Sequence, residues 1–582
     1  MYPAVCASWM YCIQAPNCPL VHFDISNNPL GHTVPNAGDA KLAAQDVRSA
    51  LGKNTSLRML NISKSVFAPT ELVAVFGGLC MNTSIKELHL GDLALDEPDC
   101  LQLAHAIDVC SSLNVIDIPN SKMGPKGAKL IIHQISVHAR RIKYVDFSNA
   151  NLGLLGIVPL AHVLAQHDCA IQTLKIQNNN ILDEGGEYIA KQLAHNHVIK
   201  YLDVSNNHLG RDSGLAFGDL GRGIHKEGKK IAHSPIRSFY IQDNPDIGYQ
   251  GSRYLADGFV VSHLEKINLS NIGAGPHMAY TLARAFRVAT FTWLYCDISK
   301  DKLTRFGLNE ICWSLRQNRK LRVVRMGDND AGTDFCTNAD QLGVHGIALP
   351  RVIRENVTLR EVYLSHLGLN SEASVTLMEA LTENYTIRKV NLSSNFMDDE
   401  VSYALSEMLR ANDVIEDLNL SDNKMAYNVC FVLAECLESN HSLLTLNVGK
   451  NSLGAAGTAT VEAFCFALNM NCRLRSLIMD TNRLGSEWGC LLADTFCRNN
   501  TLNRVSLLDN RFDKRAGQAL YRAYAANGFL SELAVTRDEV GDDSFDQIAR
   551  LMRKKKAIVT DADIAQDTGI ELELSKVLYE YY

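Results

Sequence analysis

A short apolar pattern, L-x-x-L-x-L-x-x-N-x-L with Ile, Val or Phe allowed at the Leu positions, recurs along this chain. It stands as LVHFDISNNPL from Leu20, IKYLDVSNNHL from Ile199, IRKVNLSSNFM from Ile387, IEDLNLSDNKM from Ile415 and LLTLNVGKNSL from Leu443. Taking the first apolar residue of each copy as its anchor gives eighteen anchors: Leu20, Leu57, Ile85, Leu113, Ile142, Ile171, Ile199, Ile236, Leu264, Phe291, Leu321, Leu359, Ile387, Ile415, Leu443, Leu474, Leu502 and Leu530. Most spacings are 28 or 29 residues, while the units at 20–56, 199–235 and 321–358 run to 37 or 38. Single globular cores stop growing near about 250 to 300 residues. An array escapes that limit, because each unit buries its apolar faces only against its neighbours.

The L-x-x-L-x-L segment alternates apolar and polar residues, as a strand with one buried face does. The spacing that follows is helical, as in GGEYIAKQLAHN (185–196), VSYALSEMLRAN (401–412) and NVCFVLAECLESN (428–440). Twelve units carry an Asn three residues before the next anchor, Asn54, Asn384 and Asn412 among them. Asn tolerates the left-handed conformation that ends helices and satisfies free backbone groups, so a structural role is expected for it. Strands pack about 4.8 Å apart and helices about 8 to 10 Å, so the stack is expected to curve by roughly 15 to 30° per unit, into a horseshoe or superhelix. The parallel sheet then lines the concave face and the helices the convex face. End units need caps, expected at 1–19 and 541–582, the latter with a helix docked through Ile570, Leu574, Val577, Leu578 and Tyr581.

Units of this length with a full helix resemble the ribonuclease-inhibitor class of leucine-rich repeats, over residues 20–540. The resemblance implies an α/β solenoid of about 18 repeats. Similar arrays occur in ribonuclease inhibitor, in the Ran GTPase-activating protein, in innate immune receptors and in the leucine-rich-repeat subunit of the axonemal dynein regulatory complex. It therefore implies a non-enzymatic scaffold that binds partner proteins on its concave face and rims, with a cytoskeletal or axonemal assembly as the setting. The alternatives are a GTPase activator of the Ran-activator type and a cytosolic inhibitor or sensor. Against the activator, the long acidic tail is missing and no named position matches its catalytic residues.

With 57 basic and 64 acidic residues the net charge is -7, which gives no electrostatic reason to bind nucleic acid or an anionic membrane. The opening MYPAVCASWMYCIQAPNCP lacks the pattern of a signal peptide, so a cytoplasmic location is expected, extended by the resemblance to cytoskeleton, cilium or flagellum. On that reading, NTS at Asn54 and NLS at Asn391 are not glycosylated. Residues 147–167 lack charge but hold Ser148, Pro159, His162, Gln166 and His167 in repeat register, which argues against a membrane span. The 16 Cys form no CxxC pair, and only Cys6, Cys12 and Cys18 cluster. No cofactor or metal is expected, and no nucleophile or acid/base pair assembles, so the chain reads as a non-enzyme.

Within a unit the anchor, +3 and +5 positions should point into the core, and +2, +4, +6 and +7 onto the concave face. Across the +4 positions, Asn391, Asn419 and Asn447 follow the consensus and read as structural. Tyr240, Trp293, Tyr295, Arg325 and Tyr363 depart from it and are the candidate partner-binding patch, because aromatics and Arg dominate interface energetics. Asp117, Asp146 and Asp203, with Glu87 nearby, make a second candidate, a seat for a basic segment or simply a solvated acidic face. The Gly-rich stretch 210–230 lacks GxxxxGK[ST] and is expected to be a projecting rim loop. Neither 327–343, with Asp328, Asp330, Asp334 and Asp340, nor TDADIAQDTGIE follows the ligand order of a calcium loop. RKKK (553–556) reads as an exposed helix face.

Overall fold

Each copy of the motif forms a three-residue strand, with a helix following in nearly every unit. The computed structural model describes residues 13, 18–27, 37–67, 69–224, 234–288, 291–329, 331–332 and 348–566. It contains two compact units, Met1–Asp330 and Ala331–Tyr582. Among the described residues, the first holds eleven strands, from His22–Asp24 to Val323–Arg325, and the second holds seven, from Glu361–Tyr363 to Glu532–Ala534. Within each unit successive strands pair in parallel in chain order, as Asp203 opposite Tyr240 and Asn391 opposite Asn419 show. Each unit is thus a leucine-rich-repeat solenoid with a strand face and a helix face. No helix among the described residues is long and apolar enough to cross a membrane; 147–167 contributes the 12-residue helix Gly153–Leu164.

The core follows from the inward positions. Val145, Leu174, Leu202, Phe239 and Ile267, all at +3, are fully buried, and so are Phe147, Ile176, Val204, Ile241 and Leu269 at +5. After the strand the chain must turn sharply, and it does so through a left-handed residue at +7: Asn149 (φ 55), Asn178 (φ 60), Asn206 (φ 49), Asp243 (φ 59) and Asn271 (φ 53). Asn and Asp tolerate that conformation, which explains their frequency there. The next residue, the consensus Asn at +8, is buried and stitches neighbouring turns together. Asn207 donates through Nδ2 to the carbonyls of Ile176 (2.9 Å) and Val204 (3.0 Å), while its Oδ1 accepts from the Asn179 amide (2.7 Å).

The Asn before each anchor differs from expectation in its conformation. Asn412 is extended (φ -87, ψ 117), as are Asn384 and Asn499, so the left-handed reading is incorrect there. Its work is done by the side chain. Nδ2 of Asn412 donates to the carbonyls of Leu381 (2.7 Å) and Asn384 (2.9 Å) in the preceding repeat, and Oδ1 accepts from the Val414 and Ile415 amides. One amide therefore caps a helix C-terminus and the entry to the next strand.

At the C-terminal end this device is imitated by a lysine. Nζ of Lys555, on the helix Asp542–Gln566, donates to the carbonyls of Tyr524 (2.9 Å), Asn527 (2.7 Å) and Leu530 (2.8 Å) and lies over the Tyr524 ring. Lys555 stands 28 residues after Asn527, where the next repeat would place its Asn. Within RKKK, Arg553 and Lys554 are exposed, whereas Lys555 closes the array. The docking helix expected around Ile570 to Tyr581, the pair Cys6 and Cys12, and most of the 327–343 insertion lie outside the described residues. Cys18 is buried and free.

Two expectations fail in the first unit. Residues Arg211–Arg222, the first part of the presumed rim loop at 210–230, are a helix, whose Gly214, Gly218 and Gly221 face the next helix, Gly248–Phe259, while 225–230 lie outside the described residues. The small size of these glycines permits close backbone approach and has nothing to do with a loop. The second failure is Trp293, placed by sequence on the strand face. It is fully buried, and the strand of its unit is Tyr295–Asp297. Trp293, two residues after Phe291, is the true anchor, and Lys300 (φ 61) then falls on the left-handed +7 position.

That corrected register puts Asp301 on the buried +8 position otherwise held by Asn. Its Oδ1 accepts from the Ile272 amide (2.9 Å), but Oδ2, where a ladder Asn points N–H groups at carbonyls, has no hydrogen-bond partner. Burial, against the opposing pull of the Ile272 and Ala274 amides, raises the Asp301 pKa well above the usual carboxylate range. The folded state therefore holds a proton that the unfolded chain releases above about pH 4, and stability falls as pH rises from there through the folded pKa. Asp301→Asn should remove this slope. At neutral pH it is expected to stabilise the first unit by about 1 to 2 kcal/mol, and near pH 3 by nothing. Urea titrations at the two pH values check it; equal effects at both would rule out the protonated carboxyl.

Candidate functional site

The strand face of the first unit is built by the +2 and +4 residues of three-residue strands, whose middle residue is buried. In the pairing, Tyr144, Thr173, Tyr201 and Ser238 share the +2 row, and Asp146, Lys175, Asp203 and Tyr240 the +4 row. Side chains on neighbouring strands lie close enough to touch across this ladder. Tyr201 and Tyr240 do so, with ring centroids 5.1 Å apart and a 32° tilt. Lys175 Nζ lies 5.4 Å from the Tyr144 ring centre and 6.0 Å from that of Tyr201, and 3.4 Å from an Asp146 oxygen. The result is a continuous band, Tyr144, Lys175, Tyr201, Tyr240, in which an ammonium sits between two aromatic faces.

Burial pushes the Tyr144 phenol up to about 12 and raises Tyr201 and Tyr295 further, with Asp203 and Asp297 adding to it. All three hydroxyls therefore stay protonated and can donate. Burial opposes the charge of Lys175, but the hydrogen bond to Tyr144 and the charges of Asp146 and Asp117 outweigh it and raise its pKa, so it remains a cation. Farther along, Arg325 lies 5.7 Å from the Tyr295 ring centre, and the Tyr295 hydroxyl reaches Asp297 at 3.4 Å. Tyr363 belongs to the second unit, where its hydroxyl donates to Glu361 (2.8 Å) and Lys389 lies over its ring.

The acidic candidates divide by how their oxygens are used. Asp146 and Asp203 are buried, and each accepts from the amide of the Ser two residues on, Ser148 (2.9 Å) and Ser205 (3.0 Å). Asn268 and Asn391 make the same turn with Ser270 and Ser393. The D-x-S and N-x-S strings are thus one device that folds the backbone after the strand. Asp117 has Pro119 two residues on, and pairs instead with His89 at 2.6 Å. Burial lowers the His89 pKa, but the hydrogen bond and charge of Asp117, helped by Glu87, raise it overall. Only the Asp117 end of the acidic row therefore keeps a carboxylate engaged in side-chain electrostatics alone.

Sequence reasoning missed Tyr144 and Tyr201, and did not include His89 or Lys175 among its site residues. Reading the +2 row beside the +4 row would have found the tyrosines, since cross-strand pairs alternate between the two. Among the described residues no group of His, Cys, Asp or Glu has the arrangement of a metal site.

Residues 167–190 and 195–218 match the family model described as "Leucine Rich repeat". Three relatives show where else such a chain occurs. "NACHT, LRR and PYD domains-containing protein 5" of Mus musculus is 22% identical over 52% of this chain and 25% of its own length. "Ribonuclease inhibitor" of Sus scrofa is 21% identical over 55% of this chain and 79% of its own. "Capping protein, Arp2/3 and myosin-I linker protein 2" of Mus musculus is 26% identical over 33% of this chain and 15% of its own. The chain thus spans a quarter of the first of these and most of the second. Strand, left-handed turn, asparagine ladder and helix, repeating mostly every 28 or 29 residues, make each unit a leucine-rich-repeat solenoid, and its repeats are similar to those of ribonuclease inhibitor.

Proposed function

We propose that this chain is a non-enzymatic protein-binding scaffold, and that the strand face of its first unit is the surface on which a partner protein sits. The observation that carries the reading is the Tyr201–Tyr240 pair, two rings 5.1 Å apart on the strand face, next to Lys175 and Tyr144. Tyrosines held by neighbours have lost their rotamer freedom before binding, so their contact area is gained at low entropic cost. The likeness to ribonuclease inhibitor supports a protein partner. We also infer a cytoskeletal setting, axonemal assemblies included. The likeness to a linker of capping protein, Arp2/3 and myosin-I supports the cytoskeletal part. Loss of the chain from the detergent-insoluble fraction would count against that setting.

The double variant Tyr201→Ala/Tyr240→Ala is expected to reduce partner recovery in quantitative affinity purification by about thirtyfold, the effect of losing a hot spot worth about 2 kcal/mol. Its melting should stay close to wild type, because both rings lie on the surface side of the sheet. Undiminished recovery with cross-links mapping elsewhere would reject this face. The acidic pair Asp146 and Asp203 should not be used for the test, since their loss unmakes the turns they fold.

A further inference from the structure

We propose that the strand-entry edge of the first unit is a second docking surface, shaped for an acidic helix of a partner protein. The edge is formed by the +1 residues, whose backbones make an unbroken ladder. Lys86 N–H donates to the Arg58 carbonyl (2.7 Å), Asn114 to Lys86 (2.9 Å), Lys143 to Asn114 (2.8 Å), Gln172 to Lys143 (2.8 Å), Lys200 to Gln172 (2.8 Å) and Arg237 to Lys200 (2.8 Å). Five of these seven positions are basic, and Arg58, Lys86, Lys143, Lys200 and Arg237 are all exposed.

Three carboxylates on neighbouring segments are matched by other groups: Asp108 with His138 (3.0 Å), Asp168 with Arg140 (2.6 Å) and Glu265 with Arg237 (3.3 Å). Among the described residues Lys86, Lys143 and Lys200 make no ion pair, so three ammonium groups face water in a row. They stand on every second strand. Strands about 4.8 Å apart put successive lysines roughly 9.6 Å apart, and residues seven apart on an α-helix, on the same side, are separated by about 10.5 Å. Arg58 and Arg237 extend the row by one strand at each end, to roughly 29 Å, the length of a helix of about 20 residues. A helix with Glu or Asp at every seventh position would therefore meet successive lysines along one side.

The same geometry disfavours nucleic acid. Glu87, Asp117 and Asp146 lie one to three residues along the same strands, on the adjoining face. A polyanion charged on every side would meet them, whereas a helix charged on one side keeps its neutral side toward them. The surface is distinct from the tyrosine band and stands whether or not that band binds.

The test uses the full chain and a fluorescein-labelled alanine/glutamine helix of about 24 residues with Glu at every seventh position. Fluorescence anisotropy at low ionic strength should show binding that weakens with added salt. A peptide of identical composition with its glutamates clustered should bind less tightly. The triple variant Lys86→Gln/Lys143→Gln/Lys200→Gln should weaken binding about tenfold, with unchanged circular dichroism. Lys126→Gln/Lys129→Gln, on the helix Gly124–Val137 of the same unit, should leave it unaltered. Absence of binding, equal affinity for the two peptides, indifference to the triple variant, or tighter binding of a single-stranded RNA of similar length would each overturn the proposal.

Discussion

Trp293→Ala is expected to destabilise the first unit by about 3 to 5 kcal/mol, the cost of removing a large aromatic from a close-packed core. Its ring is fully buried against Phe291 (centroids 5.2 Å apart) and Phe286 (6.3 Å, edge-on), and its indole N–H points at the Phe259 carbonyl at 3.4 Å. Truncation would leave a void that the two neighbouring rings, Phe286 and Phe291, cannot fill without leaving their rotamers. Tyr295→Ala, two residues on and half-buried on the strand face, should cost about 1 kcal/mol. Urea denaturation of the two variants reads the contrast directly. If Trp293→Ala unfolded at the same urea concentration as wild type, the anchor of this repeat would lie at Phe291 after all, and Trp293 would return to the binding face.

Why the sequence was legible elsewhere and not here has a physical answer. The inward row of a repeat is anchor, +3, +5, so simple alternation breaks between the anchor and the strand. In FTWLYCDI both Phe291 and Trp293 begin an acceptable apolar pattern, Leu294 and Cys296 completing the first and Cys296 and Ile298 the second. Hydrophobicity alone cannot choose between them. The turn can: only the second frame puts Lys300 at the left-handed position and Asp301 on the asparagine ladder. It also restores spacings of 29 and 28 residues in place of 27 and 30. The candidate site was only partly visible for a related reason. A row read along one register position shows which residues share a face, but pairs such as Tyr201 and Tyr240 form diagonally between rows, and burial of Asp203 by its own turn leaves no mark in residue type.

Gly258→Ala should cost about 3 kcal/mol, although alanine is the better helix former by about 1 kcal/mol. Helix Gly248–Phe259 approaches helix Arg211–Arg222 so closely that a Cβ on Gly258 would stand 2.1 Å from the Gly218 carbonyl oxygen. A Cβ on Gly221 would stand 2.8 Å from the Gly258 carbonyl carbon, and one on Gly214 2.8 Å from the Gly251 Cα. The atoms in the way are backbone, which cannot turn aside as a side chain can, so the helices must separate. Gly528→Ala, in the second unit with nothing within 4 Å of the added methyl, is the control and should be neutral or slightly stabilising. A stabilised Gly258→Ala would mean that the helices are not in contact. The seam also bears on binding. These helices follow the strands Tyr201–Asp203 and Ser238–Tyr240, so prising them apart strains the two strands that hold Tyr201 against Tyr240. Partner recovery should therefore fall in Gly258→Ala at temperatures well below its unfolding, and a loss of affinity that tracked only the unfolded fraction would uncouple the glycine seam from the tyrosine pair.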